Sequence, residues 1–188
     1  MAIAIVGVLA LLSISWYKNV MDRANQARCV GNMRGILAGA ISFAAERQGK
    51  LWSRTEVGYS KYRMVDDPLG LPKLLEDFVA KKSWICYGGR KSLLKFGNSY
   101  TWNATVQFET DNMLTFPDPH STLVIWDTYA YSLPSMYNAS EDYKGDGTSA
   151  TGPQALNSKY QVKPHYRNTS VNWGFVDGHV ISGATAKQ

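Results

Sequence analysis

The chain has 188 residues, of which 45% are apolar and 12% aromatic, with a formal net charge of +5. This composition excludes disordered and low-complexity proteins and is typical of a globular chain. Six Lys or Arg against two acids in residues 1–50, and 14 against 13 in residues 51–188, place the basic excess on the N-terminal segment. A nucleic-acid-binding domain would carry its basic clusters in the domain itself, so we expect no nucleic-acid partner.

Residues 1–48 contain no proline and predict one continuous helix in two halves. The first half, residues 1–16, has no charge and is apolar all round, whereas a helix of a soluble domain keeps a polar face. We therefore expect it to lie in a membrane or a helix bundle, with burial in the domain's own core as the alternative. The predicted membrane or polymer interface is Met1, Ile3, Ile5, Val6, Val8, Leu9, Leu11, Leu12, Ile14 and Trp16. Because about 20 apolar residues cross a bilayer, the mature start is expected upstream of Met1.

The second half, residues 17–48, predicts an amphipathic helix on which the head domain, residues 49–188, packs. Its apolar stripe at helical spacing is Val30, Met33, Leu37, Ile41 and Ala44. Gly31, Gly35 and Gly39 recur every fourth residue, although each glycine costs a helix about 1 kcal/mol relative to alanine. Close approach of another backbone explains such spacing, either a second helix or a strand of the head domain.

The head domain predicts one short helix followed by a small antiparallel sheet. The predicted elements are a helix over 68–82, strands over 100–108, 122–128, 171–176 and 179–182, and a long loop over 129–163. Asp177-Gly178 is favoured in two-residue hairpin turns, with the glycine supplying the positive φ. The fold class is therefore α+β: a long N-terminal helix packed on a small antiparallel sheet, with a short second helix and long loops.

Two cysteines and three histidines are the candidates for chemistry. In an exported domain the pair Cys29 and Cys86 suggests one disulfide, with isolated buried thiols as the alternative; their spacing is not that of a metal site.

A catalytic interpretation would pair His165 or His179 with Asp177 or Asp127 and with Ser170 as nucleophile. No G-x-S-x-G, H-E-x-x-H or P-loop motif is present, so we expect no enzyme, and we expect His165 to pin the loop to the hairpin.

Four segments in chain order carry a family resemblance. They are CVGNM from Cys29, YTWN from Tyr100, VIWD from Val124, and NWGFVDGHV from Asn172, preceded by His165. The chain resembles bacterial type IV pilin-like and type II secretion pseudopilin-like proteins, specifically the subgroup with a C-terminal His-x9-Asp-Gly segment. Eleven residues rather than nine separate the histidine from Asp-Gly here, the usual proline after the second cysteine is a tyrosine, and the glycine–phenylalanine cleavage motif is expected upstream of residue 1.

The resemblance implies a pilin-like fold and a structural role without bond chemistry. The subunit would be processed by a prepilin peptidase and held in membrane lipid as a single-pass inner-membrane protein with a periplasmic head. An inner-membrane assembly platform would then insert it into a cell-surface or periplasmic filament with itself or other pilin-like subunits. His165, Asp177 and Gly178 would be structural signature residues, and no cofactor is implied.

Calcium is the one weak metal candidate, because related major pseudopilins hold calcium in a late loop. Glu141, Asp142 and Asp146 cluster in such a loop, although their spacing is not that of an EF-hand and Lys144 lies among them.

The alternative function is a membrane-tethered periplasmic binding module, for cell wall or polysaccharide, that does not polymerise. Its binding face would use aromatic side chains, which otherwise serve as core and loop anchors. These are Trp52, Trp84, Trp102, Trp126, Tyr129, Tyr131 and Tyr137.

Overall fold

A computed structural model gives the architecture of the chain. It describes residues 2–53, 56–57, 65, 68, 70–87, 99–102, 112, 115–127 and 170–183, with side chains before residue 16 described only at Gly7 and Ile14. The elements are α1 (Ala2–Glu46), α2 (Leu71–Leu74), a 3₁₀ helix (Lys81–Trp84), β1 (Tyr100–Trp102), β2 (Leu123–Asp127), β3 (Val171–Phe175) and β4 (Val180–Gly183). The strands form one antiparallel sheet in the order β1-β2-β3-β4. The predicted α+β class, with its long N-terminal helix and small antiparallel sheet, is confirmed.

The helix α1 is continuous over 45 residues, as the absence of proline predicts. It ends where Gln48 and Gly49 take positive φ values of 57° and 87°. In this left-handed turn the Gly49 N–H donates to the Ala44 carbonyl at 2.6 Å, which satisfies an acceptor at the helix end. Among the described residues, none of the helices has the length and apolar content needed to cross a membrane.

One stripe of α1 forms the centre of the core. Of the predicted stripe, Met33, Leu37 and Ala44 are buried, and Val30 and Ile41 are half-buried against them, so the prediction is confirmed. The buried part of the stripe also includes Cys29, Ile36, Ala40 and Phe43. These positions recur at three- and four-residue intervals, which places them on one side of the helix. The sheet lies against this side.

A β-bulge sets the two faces of the sheet. Leu123 pairs with Phe175 and Ile125 pairs with Gly174, so Val124 is an extra residue in β2. The bulge allows Val124 and Ile125 to join the core on α1, while Leu123 packs with Phe175 on the opposite face. Both faces of β2 and β3 are therefore buried.

Gly174 is the point of closest approach between the sheet and α1. A Cβ built there would lie 2.6 Å from Ile125 Cγ2, 2.9 Å from Leu37 Cδ1 and 3.1 Å from Met33 Sδ. In folded proteins, the distance from a Cβ atom to a non-bonded heavy atom essentially never falls below 3.0 Å. Glycine is required here because the space of a side chain is already filled by the core.

The prediction of one continuous helix over residues 68–82 is wrong. The four-residue helix α2 ends at Leu74, followed by Leu75 at φ −98° and ψ 16°, and Ala80 at φ −59° and ψ 135° precedes the 3₁₀ helix. The chain turns between them because Phe78 and Val79 pack on the backbone of α1 at Gly39. The predicted apolar side is nevertheless the buried one: Leu71, Leu75 and Val79 are buried, and Leu74 and Phe78 are half-buried.

The β3–β4 hairpin differs from the predicted two-residue turn. Phe175 N–H donates to the His179 carbonyl at 3.0 Å, so three residues separate this pair. Gly178 N–H donates to the Phe175 carbonyl at 2.9 Å, and Gly178 has a φ of 88°. A left-handed residue closes such three-residue loops. The positive φ predicted for Gly178 is confirmed, and the loop is one residue longer than predicted.

Replacing Gly174 tests the helix–sheet contact. We expect Gly174→Ala to lower the free energy of unfolding by about 1–3 kcal/mol, because the added methyl group overpacks the core. Urea unfolding of the full chain in detergent micelles, followed by tryptophan fluorescence, measures the change. The matched control is Gly35→Ala, whose Cβ meets nothing within 4 Å and which should raise stability by about 0.5–1 kcal/mol. Equal stabilities of the two variants would contradict this packing.

Candidate functional site

The part of α1 upstream of the head domain exposes large apolar side chains. Ile14 is 55% exposed and Trp16 70% exposed, and Tyr17, Val20 and Met21 are exposed as well. Among the side chains of the helix that the structure describes, the first buried one is Cys29. Of the predicted interface, Ile14 and Trp16 are thus solvent-accessible in this single chain, while Met1, Ile3, Ile5, Val6, Val8, Leu9, Leu11 and Leu12 lie outside the described side chains.

Further along α1, a row of small exposed residues lies opposite the head domain. These are Ala24, Ala27, Gly31, Gly35, Ala38, Ser42 and Ala45. Their spacing of three or four residues keeps them on one side of the helix, and at 100° per residue this side is opposite the buried stripe. Val20 and Tyr17 continue the same side upstream. We call this row, with Val20 and Tyr17, the small-residue face.

The three glycines at four-residue spacing lie in two different environments. A Cβ at Gly39 would collide with the Val79 side chain, so this glycine admits the head domain. Gly31 and Gly35 meet nothing within 4 Å and lie on the small-residue face. Of the two explanations for the spacing, packing of the head domain accounts for Gly39 alone. Gly31 and Gly35 leave the helix backbone open to a neighbour.

A buried polar cluster joins the four segments that carry the family resemblance. Asp127, at the end of β2, accepts hydrogen bonds from the Asn172 backbone N–H at 2.8 Å and from Asn172 Nδ2 at 2.6 Å. Asn172 Oδ1 in turn accepts from Ser182 Oγ at 2.5 Å, which ties in β4. The Tyr100 hydroxyl donates to the Cys29 carbonyl at 3.4 Å, which ties β1 to α1.

The cysteines lie on this cluster. Both Cys29 and Cys86 are buried thiols in this structure, and Cys86 Sγ is 4.0 Å from Asp127 Oδ2. Burial raises the pKa of Tyr100 well above 10.0, and the nearby Cys29, Cys86 and Asp127 raise it further. The tyrosine therefore stays a neutral donor at physiological pH. The disulfide between the two cysteines stays a prediction.

Removing the Asp127 carboxyl group tests whether the cluster holds the sheet together. Asp127→Ala leaves two buried donors of Asn172 without an acceptor, and each such group costs about 1–3 kcal/mol. We expect a clear fall in the thermal midpoint of the full chain, measured by circular dichroism. Asp77→Asn, which changes an exposed carboxyl group, is the control and should melt like the wild type. An unchanged midpoint for Asp127→Ala would show that the cluster does not stabilise the fold.

The Asp177 turn collects two histidines at the other end of β3. Asp177 Oδ2 lies 3.0 Å from His120 Nδ1, and Asp177 Oδ1 lies 2.5 Å from His179 Nδ1. Partial burial raises the pKa of Asp177, but hydrogen bonds from His120 and His179 outweigh it and lower the pKa below 3.8. The contact from His120 joins the segment before β2 to the hairpin. His165, for which a pinning role is predicted, lies outside the described residues.

The structure separates the residues of the catalytic interpretation. Ser170 immediately precedes β3, and its hydroxyl accepts from Gln26 Nε2 at 2.7 Å. The pair Asp177 and His179 lies past the other end of this five-residue strand, about 20 Å away at 3.3 Å per residue. Asp127 accepts a hydrogen bond from Asn172 Nδ2.

The remaining predicted site residues, those of the aromatic face and of the calcium loop, either belong to the core or lie outside the described residues. The four predicted tryptophans of an aromatic binding face, Trp52, Trp84, Trp102 and Trp126, are at most 2% exposed and belong to the core. Tyr129, Tyr131 and Tyr137 lie outside the described residues, as do the calcium candidates Glu141, Asp142 and Asp146.

Comparisons with known proteins assign no family to the chain. No family model, no curated protein and no solved structure matches it. Function is therefore inferred from the chain's own side chains and from the resemblance of its motifs.

Proposed function

We propose that the protein is a structural subunit of a type IV pilus-like or type II secretion pseudopilus-like filament. It would adopt a pilin-like fold, and the first half of α1 would hold it in the inner membrane before assembly. The observation that carries the proposal is the small-residue face together with the exposed apolar side chains upstream of it.

The exposed apolar side chains favour a partner for the upstream part of α1. Trp16, at 70% exposure, and Ile14, at 55%, hold apolar area in water that burial would remove at about 25 cal/mol per Å². The same side chains suit lipid before assembly and neighbouring helices afterwards. A subunit that exchanges one for the other needs no catalytic group.

The small-residue face supports a helix as that partner. Small side chains let two helix backbones approach closely, so that packing is gained over the whole length of contact. A Cβ at Gly31 or Gly35 would meet nothing within 4 Å among the described residues, so packing within this part of the chain does not explain their cost to the helix. Contact with a helix of another subunit supplies that explanation.

Processing of the chain in its native cells decides between this proposal and a tethered binding module. We would measure the intact mass and the N-terminal residue of the protein isolated from those cells. A mature chain that starts a few residues upstream of Met1 with an N-methylated residue supports a pilin-like subunit. A chain that retains an uncleaved leader contradicts it and leaves the non-polymerising module.

A leucine on the small-residue face should block assembly without unfolding the head domain. We expect Gly35→Leu to remove the subunit from the sheared filament fraction, because the added side chain holds neighbouring helices apart. Its thermal midpoint should equal or exceed that of the wild type, since nothing lies within 4 Å and leucine is the better helix former. Lys82→Leu adds the same exposed leucine on the head domain and serves as the control. Normal assembly of Gly35→Leu would exclude this face as the interface.

A further inference from the structure

We propose that His120, Asp177 and His179 form a binding site for a divalent d-block metal ion of the zinc type. One candidate ligand atom from each of the three lies within 4.8 Å of the other two. They come from two segments: His120 from the turn before β2, and the other two from the β3–β4 hairpin. The site is independent of the proposed function.

Backbone hydrogen bonds hold these two segments together without help from the ligand side chains. Asp177 N–H donates to the Pro119 carbonyl at 3.2 Å, and Val176 N–H donates to the Thr122 carbonyl at 3.1 Å. The turn is further fixed by Asp118, whose carboxyl group accepts from the Ser121 backbone N–H at 3.3 Å and from its hydroxyl. The three candidate ligands are therefore presented by a fixed frame rather than by free loops.

The rings of the two histidines are also oriented. His179 stacks on Phe175 with 4.2 Å between ring centroids and an interplanar angle of 2°. His120 stacks on the other histidine at 4.5 Å and 27°. This arrangement keeps a ring nitrogen of each histidine beside the Asp177 carboxyl group. Tetrahedral ligands of zinc, with bonds of about 2.0–2.2 Å, are separated by about 3.3–3.6 Å. Binding would therefore move the Asp177 oxygens away from the two histidine nitrogens, which now lie at 3.0 and 2.5 Å, and would turn the stacked rings toward the ion.

The donor set selects the class of ion. Two imidazole nitrogens and one carboxyl oxygen suit zinc, copper and nickel, whereas calcium and magnesium prefer sites built from oxygen alone. Three protein ligands leave the fourth zinc position to solvent. The Asp177 side chain is 31% exposed and that of His120 is 71% exposed, so an ion from solution reaches the site. Bound metal would join the segment before β2 to the β3–β4 hairpin.

Zinc binding by the full chain tests the site. The protein would carry no polyhistidine tag, be stripped with EDTA in detergent micelles, and be titrated with zinc chloride by calorimetry. We expect one ion per chain, a higher thermal midpoint with zinc, and cobalt d–d absorption typical of low coordination. His120→Gln, His179→Gln and Asp177→Asn should each weaken binding about tenfold or more.

Matched controls keep the test decisive. Asp77→Asn removes an exposed carboxyl group elsewhere on the head domain and should bind zinc like the wild type. Because His120 is largely exposed, His120→Gln should fold normally, so lost binding in this variant reports ligation. Absence of zinc, copper and nickel binding to the wild type overturns the proposal. So does unchanged affinity in both histidine variants, or movement of the His165 resonances alone in NMR titrations.

Discussion

The close contact between α1 and β3 is the constraint on which the rest of the structure depends. The helix offers a stripe of buried residues between Cys29 and Ala44, and the sheet can reach it only because Gly174 has no side chain. β3 is thereby fixed as a central strand, with Val171, Trp173 and Phe175 directed into the second cluster on the far face. The bulge at Val124 lets β2 contribute Ile125 to the core on α1 and Leu123 to the cluster on the far face.

The head domain packs on one side of α1. The small size of the residues on the opposite side is therefore not explained by packing of the head domain. A helix side that only faces water usually carries charged and polar side chains. Instead the small-residue face holds alanine, glycine and serine from residue 24 to residue 45. A Cβ at either of its two glycines, Gly31 and Gly35, would meet no atom of the described residues within 4 Å outside the helix itself. Each of these glycines costs the helix about 1 kcal/mol relative to alanine. No described residue packs on them to explain that cost, which indicates a requirement from outside the chain.

Local features could be predicted from the sequence, and features that depend on distant pairing could not. The continuity of α1 and its stripe follow from missing proline and from 3.6-residue spacing. The break after α2 escaped the same reasoning, because isolated turns bury Leu71, Leu75 and Val79 at the same spacing as a helix. The pairing of His120 with Asp177 spans 57 residues and leaves no local pattern. In the sequence, only the glycines of the small-residue face were noticeable, because exposed alanines are common in any helix.

Polar contacts at both ends of β3 help to hold the small sheet in a fixed position on α1. At one end of β3, Asn172 binds the Asp127 carboxyl group on β2 and the Ser182 hydroxyl on β4. At the other end, the Val176 and Asp177 N–H groups donate to the Thr122 and Pro119 carbonyls of the segment before β2. Between them Gly174 holds the strand on the helix. A strand fixed at both ends and in the middle cannot slide along α1, since a shift of one residue would turn Asn172 and Gly174 to the wrong face. The head domain therefore keeps its position on one side of α1 and leaves the small-residue face open along its length.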